Sequence, residues 1–227
     1  MRRIATWVLI SAAVIATAAT ALAASPKAFR AKVIAATLAQ TSVRRTSTHT
    51  ESLPGRYSED TVTADVSVAS GSELDRFQST DQHGRARILL VGGTVYFRGD
   101  AVALEQYFDL TEAKAKHYAG RWISIPKGDK LYSGFADSLT LASVVRFIPR
   151  GHLRLSRRWM HGRRFIVLYG SSPSVDLYVH ARGKPLPVGF SDGGLSAQAY
   201  GRFSKWNESV TVQAPASSTP IATVRGG

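Results

Sequence analysis

Apolar residues recur at every second position through most of this chain. Thr61 to Ala69 puts Val62, Ala64, Val66 and Val68 on one face and Thr61, Thr63, Asp65 and Ser67 on the other, the pattern of a half-buried strand. The alternation returns at Ala86, Ile88 and Leu90, at Val95 and Phe97, at Leu153 and Leu155, and at Phe165 and Val167. It continues at Val175, Leu177 and Val179, then at Leu195, Ala197 and Ala199. Gly92-Gly93, His161-Gly162, Arg182-Gly183-Lys184-Pro185 and Asp192-Gly193-Gly194 are hairpin turns by composition, so neighbouring strands pair antiparallel.

Two stretches change period. Ala28 to Gln40 is alanine-rich, with Phe29, Val33 and Ala36 at helical spacing behind Pro26, which predicts one N-terminal helix. Between Leu89 and Val145 two strands meet at Gly92-Gly93, and two short helical segments lead through Gly120-Arg121-Trp122 to Pro126. Leu131, Phe135, Leu139, Ala142 and Val145 then step by three and four, predicting one long helix over Lys130 to Val145 with a covered face. Thr41 to Asp60 is polar and contains Pro54-Gly55, which predicts an irregular or weakly stranded segment. After Pro215 no periodicity remains, and 216–227 reads as a disordered tail.

A sheet with one apolar face needs helices on that face alone, which makes the fold class α+β. Ala64, Ala197, Ala199 and Gly201 share this face with Leu195 and Phe203. Such small residues leave shallow ground, which either admits a helix closely or opens an apolar ligand pocket.

Composition narrows the chemistry. The 227 residues contain no cysteine, which excludes disulfides, thiolate catalysis, thiolate metal sites and an acylated cysteine anchor. Net charge is +13, or +11 without Arg2 and Arg3, a balance that attracts anionic lipid, wall polymer or nucleic acid. Arg2 and Arg3 precede an uncharged run from Ile4 that lasts until Lys27, with Ala21-Leu22-Ala23 near its end: a secretory signal over residues 1–24, or an uncleaved anchor. Export demotes nucleic acid as a partner.

No nucleophile elbow, zinc-protease helix or phosphate loop occurs, and no two of the six histidines share ligand spacing on one predicted helix. Asp176 and His180 share a polar strand face without a nucleophile to join them, and read as a solvated pair. Tyr96, Tyr107, Trp122 and Trp159 read as core or rim aromatics. The expectation is a protein that is not an enzyme, with no metal and no cofactor. Arg157, Arg158, Arg163 and Arg164 flank Trp159 and Met160 in one hairpin, the composition of a tip that meets an anionic membrane, or else of an ordinary soluble hairpin.

The hairpin Val91-Gly92-Gly93-Thr94-Val95-Tyr96, the segments Gln106-Tyr107-Phe108 and Ala113 to Tyr118, and the Gly120-Arg121-Trp122 to Pro126 stretch resemble exported lipid and lipoprotein carriers of the LolA/LppX type. Tyr200 to Pro215, with Lys205-Trp206-Asn207 and Val210-Thr211-Val212, is similar to that family's last strands. The resemblance spans 28–215, the lipid-binding domain it implies. It implies a curved antiparallel half-barrel with helices on the concave face and an acyl-chain cavity between them. Ala64, Val66, Val95, Phe97, Phe135, Leu139, Leu177, Ala197 and Ala199 are the residues expected to line that cavity. The chain departs from the mycobacterial members in lacking a lipid-attached cysteine. A carrier of lipid or another amphiphile is the expected function; a basic envelope adaptor with a filled core, holding anionic wall polymer or a partner protein, is the alternative.

Overall fold

The computed structural model describes residues 25–226 apart from 161, 172–174 and 194–196. The expected signal, Leu195 and the turn positions His161 and Gly194 lie outside the described residues. The first helix is α1, Pro26–Leu38. The Ser25 hydroxyl accepts from the Ala28 amide at 3.2 Å, and Pro26 occupies the first turn, where no amide hydrogen is needed. Phe29, Val33 and Thr37, each four residues apart, form its buried stripe.

The polar segment that follows forms a long hairpin rather than irregular chain. Strands β1 (Ser42–Leu53) and β2 (Arg56–Ser67) pair continuously from Ser42↔Ser67 to Leu53↔Arg56 around Pro54-Gly55. Gly55 has φ +74°, a conformation glycine adopts without steric cost. Polarity misled because β1 is paired on both sides and holds Thr46, Thr48 and Thr50, β-branched residues suited to a pleated surface, on one face.

Strands β3 (Gly71–Ser79), β4 (His83–Val91) and β5 (Thr94–Gly99) continue the meander. Helices α2 (Ala101–Phe108) and α3 (Glu112–Tyr118) then lead to β6, Ile123–Pro126. The Asp100 carboxylate caps α2 through the Ala103 amide at 2.9 Å and also accepts from the Arg85 amide of β4 at 2.9 Å, pinning the helix to the sheet.

The single helix expected over Lys130 to Val145 is two pieces, α4 (Tyr132–Ala136) and a 3-10 helix at Leu141–Phe147. Thr140 between them is extended (φ −122°, ψ 155°) and bridges to Ser67. The Leu139 carbonyl runs so close to Gly71 that a Cβ there would lie 2.3 Å from it. The break has a packing cause: Phe135, Ala136 and Leu139 enter one apolar cluster, and Leu141 and Val144 enter another. One straight helix would not serve both.

A second meander comprises β7 (Arg154–Met160), β8 (Arg163–Tyr169), β9 (Asp176–His180), β10 (Pro187–Gly193) and β11 (Ala197–Ser204). Pairing of β1 with β11 joins the two meanders, and with a short last strand β12 (Thr219–Pro220) the order is β12-β6-β5-β4-β3-β2-β1-β11-β10-β9-β8-β7. The architecture is the expected one: α+β, with a curved and largely antiparallel sheet and helices on its concave face.

Four further expectations need correction. In β8 it is Ile166 and Leu168 that enter the helix-side cluster; Phe165 and Val167 face outward, because Val167 pairs with outward-facing Tyr178. Val68 lies beyond β2 and is exposed, and Val210-Thr211-Val212 lies outside any strand. The tail is ordered: β12 (Thr219–Pro220) pairs parallel with β6, and α5 (Ile221–Gly226) buries Ile221 and Val224. Arg225 donates to both oxygens of Asp129, at 2.9 and 3.2 Å. Short apolar anchors in a polar setting carry no period, so tertiary contact alone reveals them. Ile221→Ala is expected to lower stability in urea denaturation by about 2–5 kcal/mol, the range for emptying a buried isoleucine site; a loose tail would give no change.

Candidate functional site

Two apolar clusters occupy the helix side of the sheet. One gathers β4, β5 and β6 under α2, α3, α4 and α5; the other gathers β1, β2 and β8 to β11 under α1 and the 3-10 helix. Between them, β1, β2 and β3 turn charged residues inward. Arg45 pairs across to Ala64, Ala64 to Glu73, and Val62 to Asp75, while Asp60 pairs across to Phe77, so all four ionisable groups share the helix-side face.

Arg45, Glu73 and Asp75 are hydrogen-bonded, but the set is not fully satisfied. Arg45 donates to Glu73 at 3.1 Å, with both side chains about nine-tenths buried. The Tyr107 hydroxyl of α2 donates to Asp75, which is 1% exposed. Arg45 Nε, Asp60 Oδ1 and Asp75 Oδ1 are buried without partners. Burial pushes Glu73 up and the Arg45 guanidinium down, and their attraction only partly offsets this. Arg45 keeps its charge, since guanidinium is too basic to surrender its proton. Burial foremost, and then the neighbouring Asp75 carboxyl, push Asp60 up to about 7. Burial, followed by the bond to Asp75, likewise raises Tyr107, which stays a phenol that can donate.

The nine residues expected to line one cavity are divided. Val95, Phe97, Phe135 and Leu139 lie in the first cluster, and Ala64, Val66 and Leu177 in the second. Phe135 is ringed by Phe97, Tyr107 and Phe108 at centroid distances of 5.6, 5.7 and 6.0 Å. Ala197 and Ala199 are half-buried on β11. Further along that strand the space at Gly201 is filled by Phe190, whose ring would lie 2.4 Å from an added Cβ.

The arginine hairpin is also divided. Trp159 pairs with Arg164 and Arg157 with Ile166, which places Arg157, Trp159 and Arg164 on the helix side. Arg158, Met160 and Arg163 point outward. Trp159 is 65% exposed, with the Arg164 guanidinium 5.3 Å from its ring centre. Asp176 and His180 share the outward face of β9, half-buried and exposed respectively.

Arg45, Asp60, Glu73 and Asp75 were not singled out from the sequence. A signal existed: extending the Val62-Ala64-Val66 phase backward by two puts Asp60 on the apolar face, and Phe77 shares the phase of Glu73 and Asp75. Among the described residues no group of three or more histidine, cysteine or carboxylate side chains is arranged to hold a metal, and no helix is long and apolar enough to cross a membrane.

The shift at Asp60 fixes a pH dependence. Its folded-state carboxyl releases its proton near 7, whereas in the unfolded chain it does so at about 4. Its contribution to stability is therefore complete below about pH 4 and is lost as pH rises through 7. Asp60→Asn removes this titration. In urea titrations from pH 4 to pH 8, the wild type should lose stability relative to the variant as pH rises; a constant difference would mean that Asp60 ionises as an ordinary surface carboxylate.

No protein-family model matches the sequence, and no curated protein matches it. Solved structures do. LprF from Mycobacterium bovis superposes with a TM-score of 0.52 at 14% identity, covering 85% of this chain and 97% of that one. Mycobacterium tuberculosis lipoprotein LppX gives 0.47 at 16% identity over 83% and 100%. A LolA-superfamily protein from Nitrosomonas europaea gives 0.32 at 10% identity over 83% and 96%. The two lower scores carry no weight by themselves. The LprF superposition takes in most of both chains, and the fold of this chain is accordingly LprF-like.

Proposed function

We propose that this chain is an exported, non-enzymatic binder or carrier of a lipid or other amphiphile, held between the sheet and its helices. The observation that supports it most is the division of the helix-side face into two apolar clusters parted by a buried polar band. An amphiphile has the same division. Its acyl chain would displace side chains from an apolar cluster, gaining about 0.8 kcal/mol per buried methylene. Its polar head would meet Arg45, Asp60 and Asp75, whose unpartnered atoms have hydrogen bonds left to make. The way in would run past Ala197 and Ala199, the half-buried small residues of β11, toward the Phe147, Phe190 and Phe203 rings.

The test is uptake of a fluorescent fatty acid by purified protein. The expected result is saturable uptake that Ala197→Leu and Ala199→Leu reduce, with stability unchanged or raised. In a permanently filled interior these variants would instead overpack, costing about 1–3 kcal/mol. No uptake by the unmutated chain, together with that destabilisation, would defeat the carrier reading. The adaptor reading would then stand: a basic protein with a filled core holding anionic wall polymer or a partner protein. The close packing around Phe135 favours it.

The hairpin is proposed as the contact with an anionic membrane surface. Arg157, Arg158, Arg163 and Arg164 surround exposed Trp159 and half-buried Met160 at one end of the sheet. Replacing the four arginines with glutamine is expected to weaken sedimentation with phosphatidylglycerol vesicles by about 1 kcal/mol per charge, with melting temperature nearly unchanged. Vesicle binding indifferent both to these changes and to added salt would remove the hairpin from that role.

A further inference from the structure

The outer face of the second meander holds a trough of about 750 Å³ that shares Met160 and Arg163 with the hairpin, while its Phe165, Tyr178, His180, Tyr200 and Arg202 walls serve neither the carrier reading nor the membrane contact. Its walls include Arg163 and Phe165 of β8, Tyr178 and His180 of β9, and Tyr200 and Arg202 of β11. Its floor is low at Gly189 of β10, which lies beside Tyr178 and Arg202 on the flanking strands. A Cβ there would lie 2.7 Å from the Gly201 carbonyl, so no larger residue fits and the floor stays open.

The chemistry of the walls is specific. Phe165 and His180 stack at 6.1 Å with 26° between their planes. Tyr178 and Ser191 bring their hydroxyls within 3.3 Å, and Tyr200 is 57% exposed. Arg163 and Arg202 are exposed, and neither has an ion-pair partner among the described residues. The trough thus offers ring faces, neutral hydroxyls and two uncommitted guanidinium groups.

We infer that this outer-face trough is a binding site for an acidic glycan, a chain of sugar rings bearing carboxylates. A pyranose presents a C–H face to the negative face of an aromatic ring, hydroxyls to Tyr178 and Ser191, and carboxylates to arginine, which grips them bidentately. The trough crosses four strands, about 14 Å at ordinary strand spacing, room for a short oligosaccharide. A peptide finds less here. β9, β10 and β11 are each paired on both sides, so no backbone edge is open for an added strand. An acyl chain would leave the hydroxyls and guanidinium groups facing hydrocarbon. Single-stranded nucleic acid also stacks on aromatic rings, but it carries a phosphate for every base and favours a continuous basic track.

The experiment is calorimetric titration of the full chain at low salt with a short oligogalacturonate, a neutral galactose oligomer of equal length and oligothymidylate. The uronate is expected to bind saturably and the neutral oligomer about tenfold more weakly or worse, as fits the loss of charged hydrogen bonds. Tyr200→Ala and Arg202→Gln should each weaken uronate binding about tenfold, while melting temperature and fatty-acid uptake stay as they are. Arg87→Gln, an outward-facing change on β4 away from the trough, should leave it unaltered. Absence of uronate binding, tighter binding of oligothymidylate, indifference to both trough variants, or equal weakening by Arg87→Gln would each overturn the site. Fatty-acid uptake, measured on the same samples, reports separately on the interior.

Discussion

Placing charge on the helix side of a sheet forces a choice on everything around it: each buried group must find a partner, keep its proton, or stay near water. Here the choice falls on Arg45, Asp60, Glu73 and Asp75, four residues of three adjacent strands. Arg45 and Glu73 find each other, Tyr107 supplies Asp75 with a donor from the opposite layer, and Asp60 holds a proton toward neutral pH. A buried ion pair of this kind contributes little net stability, yet loss of either member leaves a stranded charge. Such a band restricts which side chains can lie above it. α2 is held over the sheet by its tyrosine as well as by its apolar stripe, and the chain between α4 and the 3-10 helix has to bend where one cluster ends and the next begins.

The divided interior gives this LprF-like fold a character that its outline does not convey. A wholly apolar interior would suit hydrocarbon alone. A band with unpartnered polar atoms suits a molecule with a head and a tail, provided the clusters can part to admit it. Phe147, Phe190 and Phe203 pack on one another on one side of the band and Phe97, Phe108 and Phe135 on the other.

The two faces of the second meander divide the remaining chemistry. Strand periodicity sends Ile166, Leu168, Leu177 and Val179 to the core and Phe165, Tyr178 and His180 to the outside. The hairpin of β7 and β8 belongs to both faces, since Arg164 covers the Trp159 ring on one side while Arg163 contributes to the trough on the other. Positive charge that looks like a single cluster along the chain is two surfaces in space.

Much of this architecture was legible in the order of residues, because a period of two and glycine-rich turns act locally. Val62-Ala64-Val66, Ala86-Ile88-Leu90, Val95-Phe97 and Leu177-Val179 fix which side of each strand is covered, and α1 is marked by its stripe and its proline. Export and carriage of an amphiphile were read from a terminus and a resemblance, and remain proposals about use rather than form. What depends on neighbours distant in sequence had no local sign. The phase of β8 was decided by pairing with β9, and the depth of β1 by the seam with β11. The break at Thr140 was decided by two clusters competing for one segment, and the order of the last residues by Ile221 and Val224 reaching the first of those clusters. The charged band is the sharpest instance. Sequence determined that Asp60, Glu73 and Asp75 fall in phase with apolar residues, but only the tertiary structure brought Arg45 and Tyr107 to them, and buried charge is tolerable only with partners that the fold itself supplies.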